Sequence, residues 1–160
     1  MHSATRRILA CAAVVLASCS ASPDARSAAE GDRITIRDAV VDTEIVSTPA
    51  DKKLGLGQRD KLDWDHGMLF VYNEPRVLTM WMKGMRFDID IVWIREGRIV
   101  DMAWRVPHEV EEPLPIYRPR ETADMVLEVP AGYAWANGWK TGDPVVLQRA
   151  EGKRSNASAP

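Results

Sequence analysis

The stretch Ile89-Asp90-Ile91-Val92-Trp93-Ile94-Arg95-Glu96-Gly97-Arg98-Ile99-Val100-Asp101-Met102-Ala103-Trp104-Arg105-Val106 decides the fold. Two runs rich in β-branched and aromatic residues flank Glu96-Gly97, and glycine supplies the positive φ that a two-residue hairpin turn needs. Such a turn puts Arg95 opposite Arg98. An uninterrupted ladder beyond it puts Val92 opposite Asp101 and Asp90 opposite Ala103. One face then collects Ile89, Ile91, Trp93, Val100, Met102 and Trp104, the expected core face. The other collects Asp90, Val92, Ile94, Ile99, Asp101 and Ala103, with Asp90 diagonal to Asp101 at roughly 5 to 8 Å.

Outward from this hairpin the signals stay strand-like. Arg33 to Arg37 alternates, Val40 to Val46 is rich in β-branched residues, and both read as strands. Thr48-Pro49-Ala50-Asp51 presents an N-cap, a proline at the first helical position and an acid in the first turn, so a short helix begins there, and Gly55 and Gly57 end it. Met68 to Tyr72 and Leu78 to Met82 are predicted strands joined by a turn at Asn73-Glu74-Pro75. Met125 to Val129, a helical segment at Tyr133 to Asn137 and a strand at Val145 to Gln148 complete the order. The fold class is mainly β: a small single-domain sandwich or barrel over residues 31–150 with one or two short helices. One long connection, Pro107 to Glu121, carries four prolines and no period, which marks a functional flap or a rigid surface loop.

The ends carry a different message. Arg6 and Arg7 precede an apolar run, Ile8 to Ala17, too short to span a bilayer, so residues 1–18 read as a cleavable export signal. Leu16-Ala17-Ser18-Cys19 resembles the lipobox of bacterial lipoproteins, whose cysteine receives a diacylglycerol. Acylated Cys19 would then be the first residue of the mature chain and its partner the membrane, and Ser20 in place of an aspartate implies the outer membrane, facing the periplasm. Residues 19–30 and 151–160 lack core residues and read as a disordered tether and tail. Removing residues 1–18 takes two arginines and lowers the formal charge from −2 to −4; nothing there suggests nucleic acid. With Cys11 lost and Cys19 acylated, no thiol remains for a disulfide, a metal site or a nucleophile.

Gly55-Leu56-Gly57-Gln58-Arg59, Gly67-Met68-Leu69-Phe70, Trp81-Met82-Lys83, Ile89-Asp90-Ile91, Val126-Leu127-Glu128 and Gly142-Asp143 occur in series. In order and spacing they resemble the domain of unknown function 192 family over residues 40–148. The resemblance implies a compact, mainly β fold, often behind an export signal, and no settled activity. This chain departs from the pattern at Gly84-Met85, where the family has Asn-Thr, and at Asp88, where it has proline. Any polar contact of that Asn-Thr pair is therefore not expected here.

Arg59, Lys83, Asp90 and Glu128 fall in these motifs and, with Asp101, are the candidate ligand-binding residues. Asp90 and Asp101 could together ligate a metal or act as a hydrolytic acid–base pair; alternatively Asp90 answers Lys83 or Arg59 in a structural ion pair. Met80, Met82 and Met85 could hold copper(I) through soft sulfur, but the spacing of Met80 and Met82 is that of ordinary core residues. His66 and His108 lack ligand-spaced neighbours, Ser47 has no histidine near it, and no phosphate loop or dinucleotide fingerprint is present, so no metal, no cofactor and no catalytic residue is assigned. Six tryptophans, at 64, 81, 93, 104, 135 and 139, suit either a core or a surface that grips an envelope glycan or peptide. Trp135 and Trp139, flanking Asn137-Gly138, are expected to be the freest to meet a ligand. The leading reading is a binding or accessory module of the cell envelope. The anchor is directly testable: Cys19→Ser is expected to release the protein from membranes or block its maturation, and mass spectrometry of the mature N-terminus is expected to find acyl mass on Cys19, not a bare start at Ser22 or later.

Overall fold

The computed structural model describes residues 31–108 and 113–150, so the expected signal, tether and tail lie outside the described residues. Nine elements follow in chain order: β1 (Arg33–Ile36), β2 (Ala39–Val46), α1 (Pro49–Leu54), β3 (His66–Arg76), β4 (Ile89–Arg95), β5 (Arg98–Val106), β6 (Ala123–Pro130), α2 (Tyr133–Ala136) and β7 (Val145–Gln148). The seven strands make one curled sheet, a half-barrel, in the order β5-β4-β6-β3-β2-β1-β7. Every pairing is antiparallel except β2 with β3, and that parallel step is crossed by α1 and the segment after it. The two edges approach at one end, where Arg98 bridges Pro144 and Val145 N–H donates to Gly97 O at 2.8 Å.

Alternation along the strands sorts the core into two clusters on opposite faces. Inside the curl lie Ile34, Ile36, Val41, Leu69, Val92, Ile94, Leu127 and Val129, closed at one end by Tyr133, Ala134 and Trp139. The outer face carries Met68, Phe70, Ile89, Ile91, Trp93 and Val126, covered by Leu56, Leu78, Met80 and Met82. Strand β4 is therefore buried on both faces, which is why its sequence is almost continuously apolar.

The hairpin turn forms as its sequence predicts, with Arg95 opposite Arg98 and positive φ at both Glu96 and Gly97. Two bulges then break the ladder. Val100 is an extra residue between the pairs Ile94–Ile99 and Trp93–Asp101, and Trp104 and Arg105 together oppose Asp90, with Arg105 at φ 49°. The expected face assignment fails beyond the first bulge as a result. Trp93 is 1 % exposed and its indole N–H donates to Leu78 O at 2.7 Å, whereas Trp104 is 57 % exposed and shares no core with it.

The second bulge has a visible cause. Asp90 lies inside the curl with both carboxylate oxygens occupied: Oδ1 accepts from Arg105 N at 2.7 Å and Gly132 N at 2.9 Å, and Oδ2 accepts from Ala134 N at 2.9 Å. Gly132, the N-cap of α2, has no side chain to bond the helix N-terminus, so Asp90 of β4 supplies the capping oxygens from across the core.

Other expectations hold or fail for local reasons. Thr48 caps α1 by accepting Asp51 N–H at 3.2 Å. β7 coincides with the expected strand and α2 with the expected helix less its last residue. Asn73-Glu74-Pro75 does not turn: β3 runs on to Arg76 with an irregularity between Val71 and Arg76. Leu78 to Met82 is not a strand, since only Met80 pairs, with Tyr117 of the proline-rich connection.

Two substitutions and one control check this arrangement by chemical denaturation. Trp93→Ala is expected to cost about 3 to 5 kcal/mol through cavity formation, against less than about 1 kcal/mol for Trp104→Ala. Asp90→Ala leaves three backbone N–H groups without their acceptor, two of them buried, and is expected to cost at least about 3 kcal/mol.

Candidate functional site

A cleft lies on the outer face between α1 and the connection from β3 to β4. It has two lobes of about 440 Å³ each. One is walled by Lys52, Tyr72, Arg76, Met80 and Ile116, the other by Leu54, Gly57, Gln58, Lys83 and Gly84, and Lys53 and Trp81 line both. Beneath them a cavity of about 20 Å³ is lined by Phe70, Lys83 and Glu128 among others.

Backbone contacts hold the walls together. Gln58 N–H donates to Gly84 O at 2.8 Å, and a Cβ on Gly57 would lie 2.8 Å from Leu54 O and 3.2 Å from Lys83 O, so only glycine permits this approach. The proline-rich connection forms part of the far wall, where Met80 and Tyr117 exchange two backbone bonds of 2.8 and 2.9 Å and bring Ile116 to the first lobe.

The rim is cationic. Lys52, Lys53, Arg76 and Lys83 make no ion pair among the described residues. Lys52 Nζ sits 3.9 Å and the Arg76 guanidinium 4.9 Å from the Tyr72 ring centroid. Burial, with the Arg76 charge behind it, holds the Lys52 ammonium below its usual range. Burial likewise raises the Tyr72 phenol, with a smaller contribution from Glu128.

At the floor is Glu128, on the interior strand β6 between Met68 and Ile91 and 4 % exposed. It has no hydrogen-bond or ion-pair partner among the described residues, and burial alone pushes its carboxyl up to about 8. At neutral pH it is mostly a neutral acid.

Of the five candidate ligand-binding residues, the fold thus brings Lys83 and Glu128 to one cleft and holds the other three apart. Arg59 pairs with Glu44 at 2.8 Å over β2. Asp90 is enclosed on the inner face, so neither Lys83 nor Arg59 answers it. Asp101 accepts Met102 N and Arg120 N, each at 2.9 Å, and the bulges turn it to the face opposite Asp90, so the hydrolytic pair does not form. Met80 and Met82 are buried in the outer cluster with Met85 against it, which fits packing and not copper. Trp135 is 71 % exposed as expected, but Trp139 is buried, its ring 5.4 Å from Tyr133. Sequence reasoning missed Lys52, Lys53, Tyr72 and Arg76; the only signal for them is a pair of adjacent lysines on a short helix.

Four of the six family-like motifs meet at the cavity, through Gly55 to Gly57, Phe70, Trp81 with Lys83, and Glu128. The family model of uncharacterised ACR proteins known as DUF192 matches residues 32–147. The chain belongs to the DUF192 family. Among solved structures, this DUF192 domain is similar to a protein from Sinorhizobium meliloti 1021 described provisionally as a transcription regulator, with TM-score 0.65 and 30 % identity over 72 % of this chain and 91 % of that one. It is also similar to a protein of unknown function from Novosphingobium aromaticivorans DSM 12444, with TM-score 0.64 and 27 % identity over 72 % of this chain and 82 % of that one. No functionally curated protein matches it.

The raised Glu128 carboxyl makes a stability prediction whose sign is fixed. Because the folded value is about 8 and the ordinary value 4.5, the contribution is fully present below 4.5 and is lost as pH rises through 8. Glu128→Gln, neutral at every pH, is expected to gain stability relative to the native protein by up to about 1.4 kcal/mol per pH unit across that window and to hold the gain above it. Denaturation curves from pH 4 to 9 measure this.

Proposed function

We propose that this DUF192 protein is a lipid-tethered binding module of the bacterial envelope, and that its outer-face cleft holds an anionic amphiphile. The tether is the acylated Cys19, carrying the domain at a periplasm-facing membrane, the outer membrane by the residue that follows it. The observation that carries the binding reading is the cleft rim: four cations without carboxylate partners surround walls made of Leu54, Met80, Ile116 and the half-exposed Trp81. Unpaired cations on a surface gather anionic ligands, and apolar walls add affinity for an alkyl or acyl portion. A neutral glycan would give those four charges nothing to pair with.

Titration calorimetry with decanoate and decyl phosphate tests the reading, with decyltrimethylammonium as the opposite-charge control and Trp81 fluorescence as a local reporter. Both anions are expected to bind, to weaken with salt, and to outcompete the cation. Lys53→Glu with Lys83→Glu is expected to weaken decanoate at least about tenfold, a loss of about 1.4 kcal/mol or more. Equal affinity for the cationic and anionic chains would overturn the assignment.

A further inference from the structure

The cavity below the cleft holds about 20 Å³, space for one water-sized group. It opens beneath Lys53 and Trp81, which line both lobes, so whatever occupies the cleft sits directly over it. Glu128 closes it from below. The titratable groups that line the cavity with Glu128 are Lys52 and Lys53 from α1 and Lys83 from the connection; Tyr72 of β3 feels its charge from outside the cavity, while β4 presents only Ile89, Ile91 and Trp93 on that face. None of those cations acts on the carboxyl, which burial alone perturbs. A cation-binding role has little help either, since no group of three or more carboxylates, histidines or cysteines gathers anywhere among the described residues.

A carboxyl this buried that bonds to no protein group among the described residues is completed only by what enters the cavity, a water or a ligand oxygen. We propose that the cavity is an oxygen-reading subsite in which the Glu128 carboxyl donates a hydrogen bond to one terminal oxygen of the ligand's acid group. This rests on the anion-binding reading of the cleft and narrows it. The rim lysines neutralise the charge of the acid, and one of its oxygens descends into the cavity. Because the space is about one oxygen in size, what descends is a terminal oxygen, and the cationic rim selects the ionised free acid, a carboxylate or a phosphate monoester on an apolar chain, over its uncharged ester. Glu128 is suited to donate because it is neutral at the pH where the ligand is ionised, an arrangement that strengthens the bond. Once ionised it would repel the same oxygen.

The test uses the full chain and decanoate, whose own carboxyl stays ionised above pH 6. For the native protein, affinity is expected to fall about tenfold between pH 7 and pH 9 as Glu128 ionises. Glu128→Gln keeps a donor and is expected to match native affinity at pH 7 while losing that fall. Both proteins keep the same lysine rim, so the difference between the two profiles isolates Glu128. Glu128→Leu is expected to bind decanoate at least tenfold more weakly at pH 7, and methyl decanoate, which brings no charge to the rim, is expected to bind more weakly than decanoate in every variant. Infrared difference spectra provide a readout independent of affinity: the protonated carboxyl band of Glu128 is expected to shift on adding decanoate and to be missing from Glu128→Gln. Parallel pH profiles for native protein and Glu128→Gln, or native affinity that rises with pH, would sink the subsite while leaving the cleft standing. Native protein that does not prefer decanoate to decyltrimethylammonium would sink both.

Discussion

The arrangement depends first on a single buried carboxylate. Asp90 is enclosed on the inner face of the sheet without an ion pair, and three backbone N–H groups take the place of a counter-ion. Those donors come from different parts of the chain: the bulge of β5, the turn before α2 and the first turn of α2 itself. One side chain therefore sets the second break in the β4–β5 ladder and fixes the small helix that closes the end of the curl. Removing it would expose several faults at once, because three donors lose their acceptor together and those of Gly132 and Ala134 are buried.

What could be read from the sequence follows from this. Features set by neighbouring residues were legible: the Thr48-Pro49 helix start, the Glu96-Gly97 turn, and the strands on either side of Arg37-Asp38. The family-like motifs were legible as well, and they placed Lys83 and Glu128 among the candidates before the cleft was seen. Features set by distant residues were not. The bulge at Trp104-Arg105 answers to Asp90 and to the donors at the start of α2, and the one-residue shift already made at Val100 is enough to carry Trp104 from the expected core to solvent. Leu78 to Met82 has the composition of a strand, yet its apolar residues cover the outer face of the sheet and it finds no ladder except at Met80. The cations of the cleft come from α1, β3 and the β3–β4 connection, a convergence that no local pattern announces.

Both carboxyls that matter lie in adjoining strands of the same sheet, on opposite faces, and they are treated in contrary ways. Asp90 is saturated by backbone donors and belongs to the scaffold. Glu128, one strand away, is surrounded by Met68, Ile91 and Phe70, is left unpaired, and is kept neutral by burial. An apolar residue at position 128 would serve the fold better at neutral pH, which is why a ligand-reading role is proposed for the acid.

The pairing of β1 with β7 has a consequence for how the chain reaches this state. The first strand of the domain lies between its immediate successor and the last strand, with Arg33 opposite Gln148 and Ile36 opposite Val145. The sheet cannot acquire its final edge until nearly the whole domain has emerged, and a contact this distant in sequence is among the slowest to form. Synthesis from the N-terminus therefore yields an incomplete sheet with β1 open along one side for most of translation. Were the chain exported unfolded, as the proposed lipid anchor requires, such late closure would be an advantage: the fold is self-delaying, and its commitment is deferred to the last strand delivered.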